Sequence, residues 1–361
     1  MLQTACHAWH VQQDARMVDF AGWEMPIQYS TITEEHHAVR RAAGLFDIAH
    51  MGRIEFTGVE AAAFLDSIVT NNVAAIEVGQ IRYALVTNEA GGILDDVLVY
   101  RLDDSYLLVV NASNRLKILD WIEQHRGGFD VTVEDRTTEK FMFALQGPRA
   151  IEILNPLIED CDIAEIGYYR SAVVNFGGEP GLLSRTGYTG EDGFEIICAT
   201  TSGAALWNQV IEAGANHGLL PAGLGCRDTL RLEAAMPLYG HELDETTDPY
   251  TAGLAFGVKL DAADFIGKPA VAEKKAEANR KRRVGLQLEG RRIAREGAIV
   301  FSGEQEIGQV TSGTFSPTLE TSIAMAYVSA NHAAAGTTVE IDIRGKRHAA
   351  TVAKLPFYKR G

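Results

Sequence analysis

The sequence predicts an α+β protein that ends in a small β-barrel of jelly-roll type. Three observations carry that expectation. A chain of 361 residues is too long for one ordinary core, so two or three domains are expected. Residues 52–133 form a self-contained pattern of mixed helix and strand periodicity. Beyond about Lys281 the pattern changes to short alternating runs at 284–288, 298–301, 306–311, 323–328, 338–343 and 346–354, with Gly, Ser and Pro turns between them.

Taken in order, residues 19–26 combine aromatics with Gly22 and Pro26, which suggests a packed irregular segment. Residues 33–43 read as a helix, with Thr33 as its cap, Glu34 and Glu35 at the positive end of its dipole, and Gly44 as its stop. Strand periodicity at 53–57 is followed by a helical pattern at 59–69 and a strand at 82–88, which ends in the turn signal Asn88-Glu89-Ala90-Gly91-Gly92. Runs 94–102 and 106–111 read as a hairpin across Asp103-Asp104-Ser105, and 113–125 as an amphipathic helix closed by Gly127-Gly128. Residues 141–146 predict a buried strand, with Gly147-Pro148 opening the next helix. Two strands are expected around Gly177-Gly178, another at 194–198, a helix at 202–214, and a short helix at 229–235.

Composition narrows the function. Hydrophobic residues make up 46% of the chain, ample for a core without staples. Cys6, Cys161, Cys198 and Cys226 are scattered without metal-ligand spacing, which points to a reducing compartment and no metal. A net charge of -15 argues against nucleic acid. The basic run Arg280-Lys281-Arg282-Arg283 reads as the end of a solvated helix, the alternative being a docking patch for an acidic partner. No apolar run approaches a membrane span, and residues 1–19 lack a signal-peptide core, so a cytoplasmic protein is expected.

Three stretches carry chemistry. In Gly92-Ile93-Leu94-Asp95-Asp96-Val97, two carboxylates enter an apolar strand, where only one can face inward with its neighbours. Asp95 reads as a turn cap and Asp96 as a strand residue, either turn chemistry or a functional carboxylate, since a buried one is costly unless paired or used. Residues 184–195 hold three glycines that admit a ligand close to the backbone, with no Walker signature, and Glu195 on the strand that follows. That carboxylate suits the paired donors of an amino-pyrimidinone edge, or is a surface Glu on an edge strand. In 221–233, Gly225 permits a turn into a helix beginning near Asp228. Arg227 at that entry could clamp an anion, or Arg227 or Arg231 could pair with Asp228 or Glu233.

Together these stretches resemble the glycine cleavage T-protein family over essentially the whole chain. The matching residues are 17–26 (Met-Val-Asp-Phe-Ala-Gly-Trp-Glu-Met-Pro), 46–52, 91–96, 184–195 and 221–234. Further matches are 308–318, with Thr311-Ser312-Gly313 and Ser316-Pro317-Thr318, and the ending Pro356-Phe357-Tyr358. The resemblance implies a three-domain cloverleaf around a central folate channel, with a jelly-roll-like last domain. Its domains would be 1–52 plus about 137–230, 53–136 plus about 231–280, and 281–361. It implies transfer of a methylene carbon from an aminomethyl group on the lipoylated H-protein to tetrahydrofolate, with release of ammonia, by a cytoplasmic monomer that needs no metal. Asp96 would be the catalytic carboxylate and Glu195 the pterin ligand, with Arg227 and Tyr358 contacting folate. Tyr83, Met51, Tyr100, Asn111 and Tyr188 would line the pocket, with Tyr168 and Tyr169 weaker candidates, and Arg295 either meets the lipoyl arm or is a surface arginine. His50 would be structural. The chain departs from the family in Ala49, where a serine is usual, so a local hydrogen bond is lost. Two other functions share this fold. One is a folate-dependent demethylase. The other is a folate-binding accessory factor for iron–sulfur maturation, whose reactive cysteine is missing from Ala235-Met236-Pro237-Leu238-Tyr239-Gly240-His241-Glu242.

Overall fold

The computed structural model describes residues 1–176 and 178–361, so Gly177, in one of the expected turns, lies outside the described residues. The chain divides into one unit of Met1–Leu65, Val73–Tyr83 and Val97–Asp228 and a second of Asp66–Asn72, Ala84–Asp96 and Thr229–Gly361.

The first unit is built on a six-stranded sheet in the order Ser171–Phe176, Glu179–Ser184, Gly193–Ala199, Lys140–Gln146, Ala43–Asp47 and Leu219–Pro221. Neighbours are antiparallel except Leu219–Pro221, which runs parallel to Ala43–Asp47. Strand side chains alternate between faces. Phe194, Ile196 and Cys198 therefore join Phe141, Phe143 and Leu145 in one core, closed by Leu206, Trp207 and Val210 of the helix Thr200–Gly214. Burying each large side chain there stabilises the fold by about 1.5–3 kcal/mol. The register sets Ser184, Glu195, Ala144 and Phe46 side by side in one cross-strand row, on the face away from that core.

Several local expectations are corrected. Residues 16–28 are a hairpin, Arg16–Phe20 with Trp23–Gln28, rather than an irregular segment; its tight turn is Ala21-Gly22, both with positive φ. The helix Ile32–Arg41 is capped by Thr31, not Thr33: the Thr31 hydroxyl accepts from the Glu34 N–H at 3.2 Å. Glu35 is fully buried, where its carboxylate accepts from the N–H groups of Tyr29, Ser30 and Gly223. Gly44 is no stop signal but a strand residue paired with Gln146, because sheet pairing outweighs its local preference. The helix expected at 229–235 is Leu224–Glu233, which begins before Gly225.

A second sheet has five strands in the order Ile81–Thr87, Ile93–Arg101, Tyr106–Val110, Gly52–Thr57 and Thr132–Asp135. It contains the expected hairpin, with Arg101 opposite Tyr106.

In the second unit six antiparallel strands close a barrel in the order Arg282–Leu288, Thr321–Val328, Gln305–Ser316, Ile299–Ser302, Thr338–Ile343 and Lys346–Ala353. Closure leaves no free sheet edge. Its interior packs Val284, Leu286, Val310, Ala324, Ala326, Ile341 and Val352. The basic run corrects another expectation: the helix Lys268–Ala276 stops short of it, Arg282 and Arg283 belong to the barrel, and Arg283 donates to the Ala235 carbonyl at 3.2 Å. Among the described residues no helix is long and apolar enough to cross a membrane.

Candidate functional site

Glu195 is the centre of a polar cluster on the outer face of the first unit's sheet. It is 6% exposed, so it is not a surface residue on an edge strand; its strand lies between two others. The Thr186 hydroxyl donates to its Oε2 at 2.6 Å. The other carboxylate oxygen has no protein donor among the described residues. Burial pushes the Glu195 pKa above its ordinary 4.5, opposed by the Thr186 hydrogen bond and the positive charge of Arg227.

Thr186 is itself held in place. The Gln146 Nε2 donates to its carbonyl at 3.0 Å, while the Thr189 hydroxyl donates to Gln146 Oε1 at 3.0 Å. Gly187 lies so close that a Cβ there would come within 1.9 Å of Gln146 Oε1, so any other residue would displace that amide. Arg185 and Asp192 close the base of the loop with a two-point ion pair, Nε to Oδ1 at 3.0 Å and Nη2 to Oδ2 at 2.5 Å. Ser184 completes the cluster: its hydroxyl donates to the Glu195 carbonyl at 3.1 Å and lies 3.3 Å from the Tyr100 hydroxyl. Tyr100 is fully buried, and burial followed by the charge of Glu195 raises its pKa, so it stays a neutral hydroxyl.

Arg227 stands over the Tyr188 ring, 4.7 Å from its centroid. Burial lowers its pKa while Glu195 raises it. It sits within the helix rather than at its entry, and Arg231 pairs with Glu242 at 2.9 Å, a partner the sequence did not suggest. His50 is buried against Phe20, with an unpartnered Nδ1; burial, then Arg227, pushes its pKa down to about 3, so the ring is neutral. Ala49 is buried in the first core, and its N–H donates to Asp47 at 2.9 Å.

The structure thus brings together Glu195, Tyr100, Arg227 and Tyr188 of the expected residues. Met51 and Tyr83 are half-buried, and Asn111 is half-buried where the strand Tyr106–Val110 ends. Tyr168 is exposed beside the ring of Tyr169. Asp96, Tyr358 and Arg295 belong to the second unit. The half-buried Tyr358 donates its N–H to the Glu233 carbonyl at 2.9 Å. Arg295 is exposed and lines a depression of about 460 Å³ on the barrel with Arg291, Arg292 and Arg344.

The acidic pair corrects another expectation. Both Asp95 and Asp96 lie in the strand Ile93–Arg101, and Asp95 is a fully buried strand residue rather than part of the turn. Alternation gives Asp95, Val97 and Val99 one face of this strand, and the half-buried Asp96 and Leu98 with the buried Tyr100 the other. Sequence reasoning missed Ser184, Thr186 and Gln146. The first two lie inside the glycine-rich stretch, but Gln146 meets it only through the fold.

The fold defines a class of mixed α+β proteins that carry a closed six-stranded barrel, and its first unit gathers a buried carboxylate, a guanidinium and two tyrosine rings. Residues 6–262 match the GCVT N-terminal domain and residues 281–359 the glycine cleavage T-protein C-terminal barrel domain. An aminomethyltransferase of Symbiobacterium thermophilum is 48% identical, over 99% of this chain and 97% of its own. One of Bacillus cereus is 47% identical, over 97% and 96%. The crystal structure of glycine cleavage system aminomethyltransferase T from Bartonella henselae is similar with a TM-score of 0.92 at 34% identity, covering 99% of this chain and 98% of that one. The chain belongs to the glycine cleavage T-protein family.

Proposed function

We propose that this chain is the aminomethyltransferase of a glycine cleavage system. It takes the aminomethyl carbon from the dihydrolipoyl arm of the H-protein and passes it to tetrahydrofolate. The folate N5 attacks that carbon, ammonia leaves, and closure onto N10 gives 5,10-methylenetetrahydrofolate and frees the thiol. Its setting is the cytoplasm, and it acts as a monomer.

One observation in the site carries the reading. Glu195 is a buried carboxylate with one oxygen held by Thr186 and the other without a protein donor among the described residues. An amino-pyrimidinone edge offers adjacent N–H donors to such a group, and the raised proton affinity of Glu195 falls once those donors bind the charged form. Arg227, Tyr188, Tyr100, Met51, Tyr83, Asn111 and Tyr358 are the remaining folate contacts in this reading, and Arg295 meets the lipoyl arm. Asp96 orients the nitrogen nucleophile and stabilises positive charge on the iminium-like carbon. Most of the rate gain comes from holding two substrates in line.

The test is ammonia release from aminomethylated H-protein, with and without tetrahydrofolate, beside a dimethylsulfoniopropionate control. Folate-dependent ammonia together with methylene-folate is expected. Methylation of folate from the sulfonium donor without ammonia would move the chain to the demethylases. Asp96→Ala should lower turnover by about a hundred- to ten-thousandfold in a folded protein, and near-normal turnover would remove Asp96 from the mechanism.

A further inference from the structure

The segment 236–247 takes no part in the chemistry proposed above, yet it is fastened at both ends of its reach. At one end lies Glu242, 1% exposed. Arg231 Nη1 donates to its Oε2 at 2.9 Å, and so does the Leu238 N–H at 2.9 Å. The Thr311 hydroxyl donates to its Oε1 at 2.5 Å, and the Tyr327 hydroxyl to its backbone carbonyl at 2.7 Å. Thr311 is the extra residue of a bulge in the barrel strand Gln305–Ser316, between Val310 opposite Ala326 and Ser312 opposite Met325. Such a bulge re-aims a side chain that regular pairing would point elsewhere. Ser312 accepts from Arg231 Nη2 at 2.8 Å, so both bulge residues serve the same ion pair.

At the other end the segment grips the start of the strand Ile93–Arg101. The Ile93 N–H donates to the carbonyls of Asp244 and Thr247, each at 3.1 Å, and the Tyr239 hydroxyl donates to the Ile93 carbonyl at 3.1 Å. Asn88 Nδ2 donates to the Glu245 carbonyl at 3.0 Å. A Cβ on Gly92 would come within 1.8 Å of that same carbonyl oxygen, so the two backbones touch. Both polar backbone groups of Ile93, three residues before Asp96, are tied to this loop.

We infer that Tyr239 and Glu242 are positioning residues: the loop they fasten fixes the start of the strand and thereby the carboxylate of Asp96. The inference rests on the role proposed for Asp96. A displacement of about 1 Å at a reacting group can cost around a hundredfold in rate, so a group that touches no substrate can still govern turnover.

The experiment compares Tyr239→Phe, Glu242→Gln and Asp96→Asn with the unaltered chain, using aminomethylated H-protein and tetrahydrofolate. Tyr239→Phe removes one hydroxyl and keeps the ring. It should lower kcat about tenfold, with the KM for tetrahydrofolate within about twofold and the thermal midpoint nearly unchanged. Glu242→Gln should move kcat in the same direction. Unchanged kcat in Tyr239→Phe, while Asp96→Asn is inactive, would overturn the positioning role and leave Asp96 in place. A kcat loss matched by an equal loss of folate affinity or of folded protein would also overturn it. Near-normal turnover in Asp96→Asn would remove the reading on which it rests.

Discussion

Two buried glutamates, Glu195 in the first unit and Glu242 in the second, differ in how completely the protein satisfies them. Glu242 accepts hydrogen bonds on both oxygens from Arg231, Leu238 and Thr311. Burial raises its pKa, but Arg231 and these hydrogen bonds outweigh that, and the net shift is downward. Glu195 has one side-chain donor, Thr186, and burial prevails, so its net shift is upward. The lesson concerns use. A buried carboxylate with donors on both oxygens joins parts of the fold, whereas one left partly open has a free-energy deficit that a ligand with N–H donors removes.

That contrast can be broken at three points, the first with the largest expected effect. Glu242→Ala removes the buried carboxylate that pairs with Arg231 and should destabilise the protein by about 3–5 kcal/mol, read from urea denaturation. A loss below about 1 kcal/mol would mean that Glu242 joins nothing. Glu195→Gln should weaken tetrahydrofolate binding about ten- to a hundredfold, read by titration, and leave the unfolding midpoint unchanged or higher. A lower midpoint with unchanged binding would make Glu195 the structural residue.

The smallest effect is in pH. The folded pKa of Glu242 lies below its ordinary 4.5, so its stabilisation is present above 4.5 and lost as pH falls through the folded value. The folded pKa of Glu195 lies above 4.5, so the folded state binds more protons in that window and stability falls as pH rises through it. The stability of the unaltered chain relative to Glu242→Gln should therefore fall on acidification, and relative to Glu195→Gln it should fall on alkalinisation. Denaturation curves across this range would sharpen the contrast if the slopes are opposite and remove it if they share a sign.

Where the pattern was local, it was legible. The barrel strand Thr338–Ile343 matches its expected span because alternation over a few residues marks a half-buried strand whatever surrounds it. The loop 184–195 and the acidic pair also stood out, the first by its glycines and the second by charge within an apolar run. Thr31 was missed as a cap because Thr33 offers the same chemistry two residues on, and only the Glu34 contact separates them.

By itself, then, the sequence determined the α+β character, the barrel and the stretches that hold the polar residues, since periodicity and turn chemistry act over a few bonds. Family resemblance singled out Asp96 and Glu195 within them. Only the tertiary structure decided that Asp95 is buried in the strand, that Gln146 steadies Thr186, and that Glu242 answers Arg231. Each of these depends on the surroundings of a side chain in the folded protein, where burial and partners distant in sequence set the energy of a charge or hydrogen bond, and no local pattern records them.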